Sequence, residues 1–349
     1  MTEHQTAVEP VVTPAAAVRP EDFDPATRTV LDHIDGQAVQ AVAGGRPANT
    51  RKGYAQDWAN WTKFCGDSSV PLLAVTPGTL VMFVEWLWTQ PGWKKGTFTA
   101  PRTIDRRITG TVVCARTDHG LDLEQGTARL ARNRLKQLVK EMEDKGERRG
   151  RGQAPPLLVE HLTAISAACP DNLMGIRDRA MVLMHFAVAG REHEIAATRV
   201  RDYTDTPGGL LADMRVSKVR PRIVPVPYGT RPSICPVRAW TAWKQAARLD
   251  DPHGPAFRKL HPRWHTLMHG ALQPESVGDV VTRAGERAGI EIRFTGHSPR
   301  RGLATSARLK GHDQIVIAKQ GGWAPHSKVL AGYLDIVDQW EDNALIGVL

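Results

Sequence analysis

Between Glu143 and Pro156 the chain reads EDKGERRGRGQAPP, and no regular element can run through that stretch. Glycines at 146, 150 and 152 loosen the backbone, and Pro155-Pro156 removes two amide donors. By composition the stretch reads as a linker, so the chain is expected to fold as two bodies joined by a basic hinge. The 349 residues suffice for two domains at roughly 100–200 residues each, and a hydrophobic content of 41% allows each a core. The expected division is a flexible N-terminal tail (1–44), a helical body (45–145), a linker (146–156) and a second body (157–349).

The tail is interrupted by Pro10, Pro14 and Pro20 and leaves room for a short helix around Ala26–Val39. Beyond it the apolar period is helical. Thr50 is placed to cap a helix carrying Tyr54, Trp58, Trp61 and Phe64, a stripe read as core. Thr76 is placed to cap a second helix through Val81, Phe83, Val84 and Leu87. A third begins near Thr103 and carries Ile104, Ile108, Val112 and Val113. Arg102, Arg106 and Arg107 lie at its beginning, where the helix dipole gains nothing from cations. Phosphate contact and a plain solvated face are equally compatible with that placement. A fourth helix, from Thr127 to about Asp144, is expected to bury Leu130, Leu135, Leu138, Val139 and Met142. It would expose Arg129, Arg132, Arg134, Lys136 and Lys140.

In the second body, Arg177 to Ala189 is apolar nearly all round and reads as a buried helix. It runs straight into the charged cluster Arg191-Glu192-His193-Glu194. The period then changes to two. Leu211–Val216 and Arg222–Pro227 alternate as the strands of a hairpin, joined by Ser217-Lys218-Val219-Arg220-Pro221. Helices follow at Val237–Arg248 and Val277–Ala288, with 251–270 loop-like between them. The fold class is therefore mainly α with a small β-sheet.

The net charge of +9 and a pI near 9.6 favour a polyanionic partner such as nucleic acid. The four cysteines show neither a CxxC pair nor metal-ligand spacing and read as reduced thiols. There is no run of 18 apolar residues and no basic-then-apolar leader. These features point to a cytoplasmic, nucleoid-associated protein without a membrane partner. No P-loop, HExxH or acidic triad is present, so neither a cofactor nor a metal is expected.

The chemistry concentrates near the C-terminus: Gly296-His297-Ser298-Pro299-Arg300, then Gly321-Gly322-Trp323, then Tyr333. His297 and Arg300 share a helix face. Pro299 is tolerated only in a first turn, so His297 belongs at or just before the helix start. Arg301 is a rival for Arg300. Cations, an indole donor and a phenol from one region are what a site needs to hold a phosphodiester and attack it.

Taken with an Arg after a buried helix (Arg191), an acidic residue three later (Glu194) and a hairpin Lys (Lys218), this order resembles the tyrosine recombinases, the phage-integrase family. Trp323 stands where the commoner residue is His. That Trp, the Gly-Gly before it and the short tail after Tyr333 resemble the Cre-like members most. The resemblance covers roughly 300 of the 349 residues. It implies a helical core-binding (SAM-like) domain and a mixed α/β catalytic domain forming a C-shaped clamp on double-stranded DNA. It implies Tyr333 as nucleophile, Arg191, Arg300, His297 and Trp323 as phosphate ligands, Lys218 as general acid and Glu194 as their support. DNA contacts are expected from Arg102, Arg106, Arg107, Arg132, Arg148, Arg149 and Arg220. The implied activity is strand cleavage and rejoining through a 3′-phosphotyrosyl intermediate and a Holliday junction, by a homo-tetramer on two sites. The apolar segment after Tyr333 (Ile336, Val337, Trp340, Leu345, Ile346) would be a helix docking into a neighbouring protomer. A type IB topoisomerase-like enzyme and a non-catalytic DNA-binding protein of the same fold are the alternatives.

Overall fold

The computed structural model describes residues 23–45, 47–217, 220–324, 326–334 and 345. The chain divides into two compact units, one up to Gly152 and one from Gln153.

The first unit is helical: α1 (Pro25–Gly44), α2 (Ala48–Ser68), α3 (Pro77–Thr89), α4 (Pro101–Thr117) and α5 (Arg129–Asp144). The α1 helix extends beyond the short one expected about Ala26–Val39. Thr76 caps α3 as its position suggested, exchanging hydrogen bonds with Thr79. Thr50 does not cap α2; Pro47 holds that place and Thr50 lies in the first turn. Helix α2 packs on α4 and α3 on α5. Trp61, Phe64, Phe83, Leu87, Ile104, Ile108, Leu135 and Leu138 are buried between them. Each such side chain contributes roughly 1.5–3 kcal/mol by leaving water. Trp61 is fully buried because its indole N–H reaches the Leu72 carbonyl at 2.8 Å. Leu130 departs from expectation: it is exposed, and Ala131 takes the inward position. The two assignments differ by a single residue of helix phase.

The second unit contains α6 (Val159–Ala168), α7 (Leu173–Ala187), α8 (Glu192–Ala196), α9 (Pro236–Ala246), α10 (Pro274–Arg287), α11 (Ser298–Leu309), α12 (Gln314–Gly321) and α13 (Lys328–Leu334). The expected hairpin is present as β2 (Gly209–Met214) and β3 (Arg222–Pro227), with Leu210 opposite Val226 and Ala212 opposite Val224 facing the core. A third strand, β1 (Tyr203–Thr206), extends the antiparallel sheet to the order β1-β2-β3. A second sheet, β4 (Arg258–Leu260) with β5 (Leu267–Ala271), occupies the stretch expected to be loop. These strands, of three and five residues, are too short to show an alternating period, so the pattern does not announce them. Helix α7 is buried on nearly every side, against α9 and α11 among others.

Below the C-terminal helices lies a small separate cluster. Ala189, Ala304, Ile317, Ala318, Trp323 and Leu330 form it, with Tyr333 packed against it. The turn before Arg191 and the helix of Tyr333 thus share one apolar support. The expected docking helix falls on 335–349, outside the described residues except for Leu345. Among the described residues no helix is long and apolar enough to cross a membrane.

Candidate active site

Helix α7 ends at Ala187, and the chain turns through Val188, Ala189 and Gly190 into Arg191, the N-cap position just before α8. Ala189 is in the left-handed region at φ +44°. The Arg191 guanidinium donates to Glu194 Oε1 at 2.7 Å, and its backbone N–H donates to Oε2 at 3.1 Å. Glu194 is buried and also accepts from the Ser217 hydroxyl and Arg222 Nη2, each at 3.1 Å. Burial alone would raise its pKa. The Arg222 guanidinium and the Arg191 donors outweigh that and hold the carboxyl below the usual carboxylate range.

His297 stands immediately before α11, with Pro299 in the first turn, as the proline required. It remains exposed although desolvated on one side. Partial burial, then the guanidiniums of Arg300 and Arg191, push its imidazole below the ordinary value. It is therefore neutral at pH 7 and able to accept a proton.

Arg300 and its neighbour Arg301 diverge. Arg300 is buried, donates to the carbonyls of Ala189 and Gly321, and lies 3.8 Å over the Trp323 ring. Burial, then the Arg191 charge, pulls it down to about 9, which leaves it cationic at neutral pH. Its Nη2 is buried with no hydrogen-bond partner among the described residues. An unpaired buried donor is costly unless a ligand completes it, and a cation calls for an anion. Arg301 instead donates to the Ala154 carbonyl at 2.6 Å and stands 5.5 Å from the Tyr333 ring. The two neighbours thus have different surroundings: Arg300 lies within the charge field of Arg191, and Arg301 flanks the phenol.

The Gly-Gly-Trp turn has a distinct reason for each glycine. A Cβ on Gly321 would lie 1.8 Å from the Trp323 ring, and Gly322 caps α12 at φ +64°. Trp323 is buried, and its ring meets Tyr333 edge-on at 6.2 Å between centroids. The tryptophan anticipated as an indole donor also holds Arg300 by its face, which the sequence did not suggest. Tyr333 is half-buried on α13, tied through its carbonyl to the Thr305 hydroxyl at 3.0 Å.

Arg191, Glu194, His297, Arg300, Trp323 and Tyr333 are therefore brought to one region. Lys218 lies outside the described residues. Arg222 and His185, neither of them a site candidate in the sequence, belong to the same network. Arg222 was legible only as a strand residue. His185 was hidden inside an apolar helix, where it is fully buried with its pKa down at about 4, chiefly from desolvation.

The arginines anticipated for DNA contact divide. Arg102, Arg148 and Arg220 are exposed. Arg106 is paired at 2.6 Å with the fully buried Asp57, and the Arg107 Nε is buried without a partner among the described residues. Arg132 pairs with Asp105 at 2.9 Å. Arg149 donates to the Trp88 carbonyl at 2.6 Å and stacks on the rings of Trp88 and Phe98.

No family model matches the chain. It is 28% identical over 323 residues to an integrase/recombinase XerD homolog of Selenomonas ruminantium, covering 90% of this chain and 89% of that one. Among solved structures, the Tn1549 transposon integrase in complex with transposon right end DNA aligns with a TM-score of 0.56 at 11% identity. That alignment covers 88% of this chain and 95% of the other. The XerH site-specific recombinase bound to its difH substrate aligns with a TM-score of 0.53 at 15% identity, covering 85% and 80%. The structural likenesses establish the fold, and the curated relative extends over nearly the same length. Over nearly its whole length the chain is thus similar to an integrase/recombinase and shares the fold of solved site-specific recombinases and integrases.

Proposed function

We propose that the chain is a tyrosine-type site-specific DNA recombinase and that Tyr333 is its nucleophile. The observation that carries the reading is the Arg300 guanidinium. It is buried, cationic, anchored by two carbonyls and an indole face, and has one donor unfilled beside Arg191. A phosphodiester supplies the missing acceptor and gains charge on its non-bridging oxygens in the transition state.

In that reading the Tyr333 phenol oxygen attacks the scissile phosphorus, forming the 3′-phosphotyrosyl bond as the bond to the 5′-oxygen breaks. The phenol proton passes to a base, for which His297 is neutral and exposed. Lys218 protonates the departing 5′-oxygen. Attack by a 5′-hydroxyl from the partner duplex reverses the step and produces a Holliday junction. The bond energy is kept in the phosphotyrosine, so strand rejoining needs no external energy source. Arg102, Arg148 and Arg220 are the exposed cations assigned to DNA phosphates. Trp323 and the Gly-Gly before it liken the chain to Cre recombinase, which favours a tetramer on two sites.

The test is a nicked suicide duplex bearing the target site, which footprinting of the flanking genomic DNA would locate. Wild type is expected to form a covalent protein–DNA adduct, and Tyr333→Phe to bind the DNA without forming one. Absence of a wild-type adduct on a bound site overturns the enzyme reading. Relaxation of supercoiled plasmid lacking the site would instead favour a topoisomerase.

A further inference from the structure

The three carbonyls of the Val188-Ala189-Gly190 turn are each taken by a different buried side chain. Val188 accepts from Arg222 Nη2 at 3.1 Å, Ala189 accepts from Arg300 Nη1, and Gly190 accepts from His185 Nε2 at 3.1 Å. A carbonyl can only accept, so His185 carries its proton on Nε2. The turn is strained, since Ala189 holds a left-handed conformation that an L side chain rarely adopts. Such a conformation persists only where its surroundings over-determine it. Here the surroundings are these three donors, and the turn they hold leads directly into Arg191.

Two of the three donors come from elements already tied to the site. His185 is on α7, the helix that the turn ends, and Arg300 itself faces the proposed phosphate. Arg222 comes from elsewhere, the first residue of β3. Its side chain is only 7% exposed. One guanidinium reaches three elements. It donates to Glu194 Oε2 at 3.1 Å, to the Val188 carbonyl at 3.1 Å and to the Gln320 carbonyl at 3.4 Å. Its stem fills the space above Gly322, where a Cβ would come within 2.9 Å of Cδ. The acceptors are met from two separate nitrogens, Nε and Nη2, of one rigid planar fork; an ammonium gathers its donors on a single flexible nitrogen and cannot span them in the same fixed geometry.

We propose that Arg222 is a positioning residue for DNA cleavage, locking Glu194, the Val188–Gly190 turn and the Gly321-Gly322-Trp323 turn into one unit that sets where Arg191 and Arg300 present their guanidiniums. It acts through these groups and is not assigned a contact with the DNA. The inference rests on the recombinase reading above. Its chemical content is specific. Glu194 orients Arg191 while ionised, and Arg222 offsets the cost of burying that carboxylate. The groups facing Glu194 are Arg191 on its own helix, Ser217 and Arg222 from the sheet side, Arg300 from α11 and His185 from α7.

The test is single-turnover cleavage of the suicide duplex by the full chain across pH, with DNA affinity and thermal unfolding measured alongside. Arg222→Gln is expected to bind DNA within about threefold of wild type and to cleave at least about tenfold more slowly, because the phosphate ligands are misplaced. The acid limb of its profile should move to higher pH, because Glu194 is then protonated more easily. Arg222→Lys should restore the limb but not the rate, since it returns the charge without the fork. In a Glu194→Gln background, adding Arg222→Gln should move no limb. A profile of wild-type shape in Arg222→Gln, or an equal displacement in the Glu194→Gln background, overturns the proposal. If Arg222→Gln fails to fold, Arg222→Lys decides, and a wild-type rate in that variant overturns it. A wild-type chain that forms no adduct removes the recombinase reading and this inference together, whereas a wild-type adduct with unaltered Arg222 variants removes this inference alone.

Discussion

Arg300 donates to the Gly321 carbonyl at 2.7 Å while lying 3.8 Å over the ring of Trp323, two residues further on. One guanidinium is thus held by both ends of a three-residue turn. Any change in the path of that turn reaches the proposed phosphate site directly.

Gly321→Ala tests that dependence. Its Cβ would lie 1.8 Å from the indole, so the ring must leave its place and Arg300 loses its stacking face. A misplacement of this size is expected to lower cleavage on the order of 10²-fold with DNA affinity nearly unchanged. Single-turnover cleavage and a binding isotherm measure the two, and a wild-type rate would show that Arg300 does not depend on the turn.

Trp323→Ala empties most of the small cluster that supports α13. Deleting a buried indole costs roughly 3–5 kcal/mol, and here the loss falls on the segment carrying Tyr333. Hydrogen exchange should show α12 and α13 losing protection while α7 keeps its own. Trp323→Phe should retain part of both protection and cleavage, because a face for Arg300 remains. Uniform loss of protection through the second unit would contradict the separate status of this cluster.

His185 gives stability a pH dependence. Its folded pKa of about 4 lies below the ordinary value of 6.5. Between those values the unfolded chain binds a proton that the folded chain does not, so stability is full above about pH 6.5 and falls as pH drops toward 4. The span is on the order of 3 kcal/mol. His185→Gln keeps a donor for Gly190 without the titration, and urea unfolding at several pH values should show a flatter slope than wild type. Parallel slopes would mean that His185 is not the group responsible.

Arg106 and Arg102 separate structure from DNA contact. Asp57 is fully buried and Arg106 is its partner, so Arg106→Ala leaves a buried carboxylate unpaired. The Arg106 side chain is 48% exposed, and solvent screening keeps the expected loss to about 1–3 kcal/mol. That loss should appear in denaturant unfolding. Arg102→Ala should leave stability unchanged and reduce the salt slope of DNA binding by about one phosphate contact. The opposite pattern would exchange the two roles.

Much of the site was legible because its residue types are demanded by chemistry and their order is distinctive. His297 before a helix start followed from Pro299 alone, since proline confines itself to a first turn. The choice between Arg300 and Arg301 could be suggested by spacing, but it was made by the carbonyls of Ala189 and Gly321, one of them 111 positions away. Arg222 read as an ordinary strand residue because its partners, Val188, Glu194 and Gln320, lie on three other elements. Arg149 read as a linker cation, yet the aromatic rings of Trp88 and Phe98 hold it. β1, β4 and β5 escaped notice because strands this short acquire their pairing from neighbours rather than from a readable alternation.

By itself the sequence pointed to a break at the glycine- and proline-rich linker, to the helices with strong apolar periods and the β2–β3 hairpin, and to the ordered set of groups on which the proposed chemistry rests. Those features are local: a period, a proline or a glycine acts on its own few residues. The tertiary structure decided which cations are committed to carboxylates and which keep an unfilled donor, and it placed a strained turn under three buried donors. Pairing of that kind depends on which side chains share a low-dielectric interior, where an unpaired group is costly, and only the folded chain brings those side chains together.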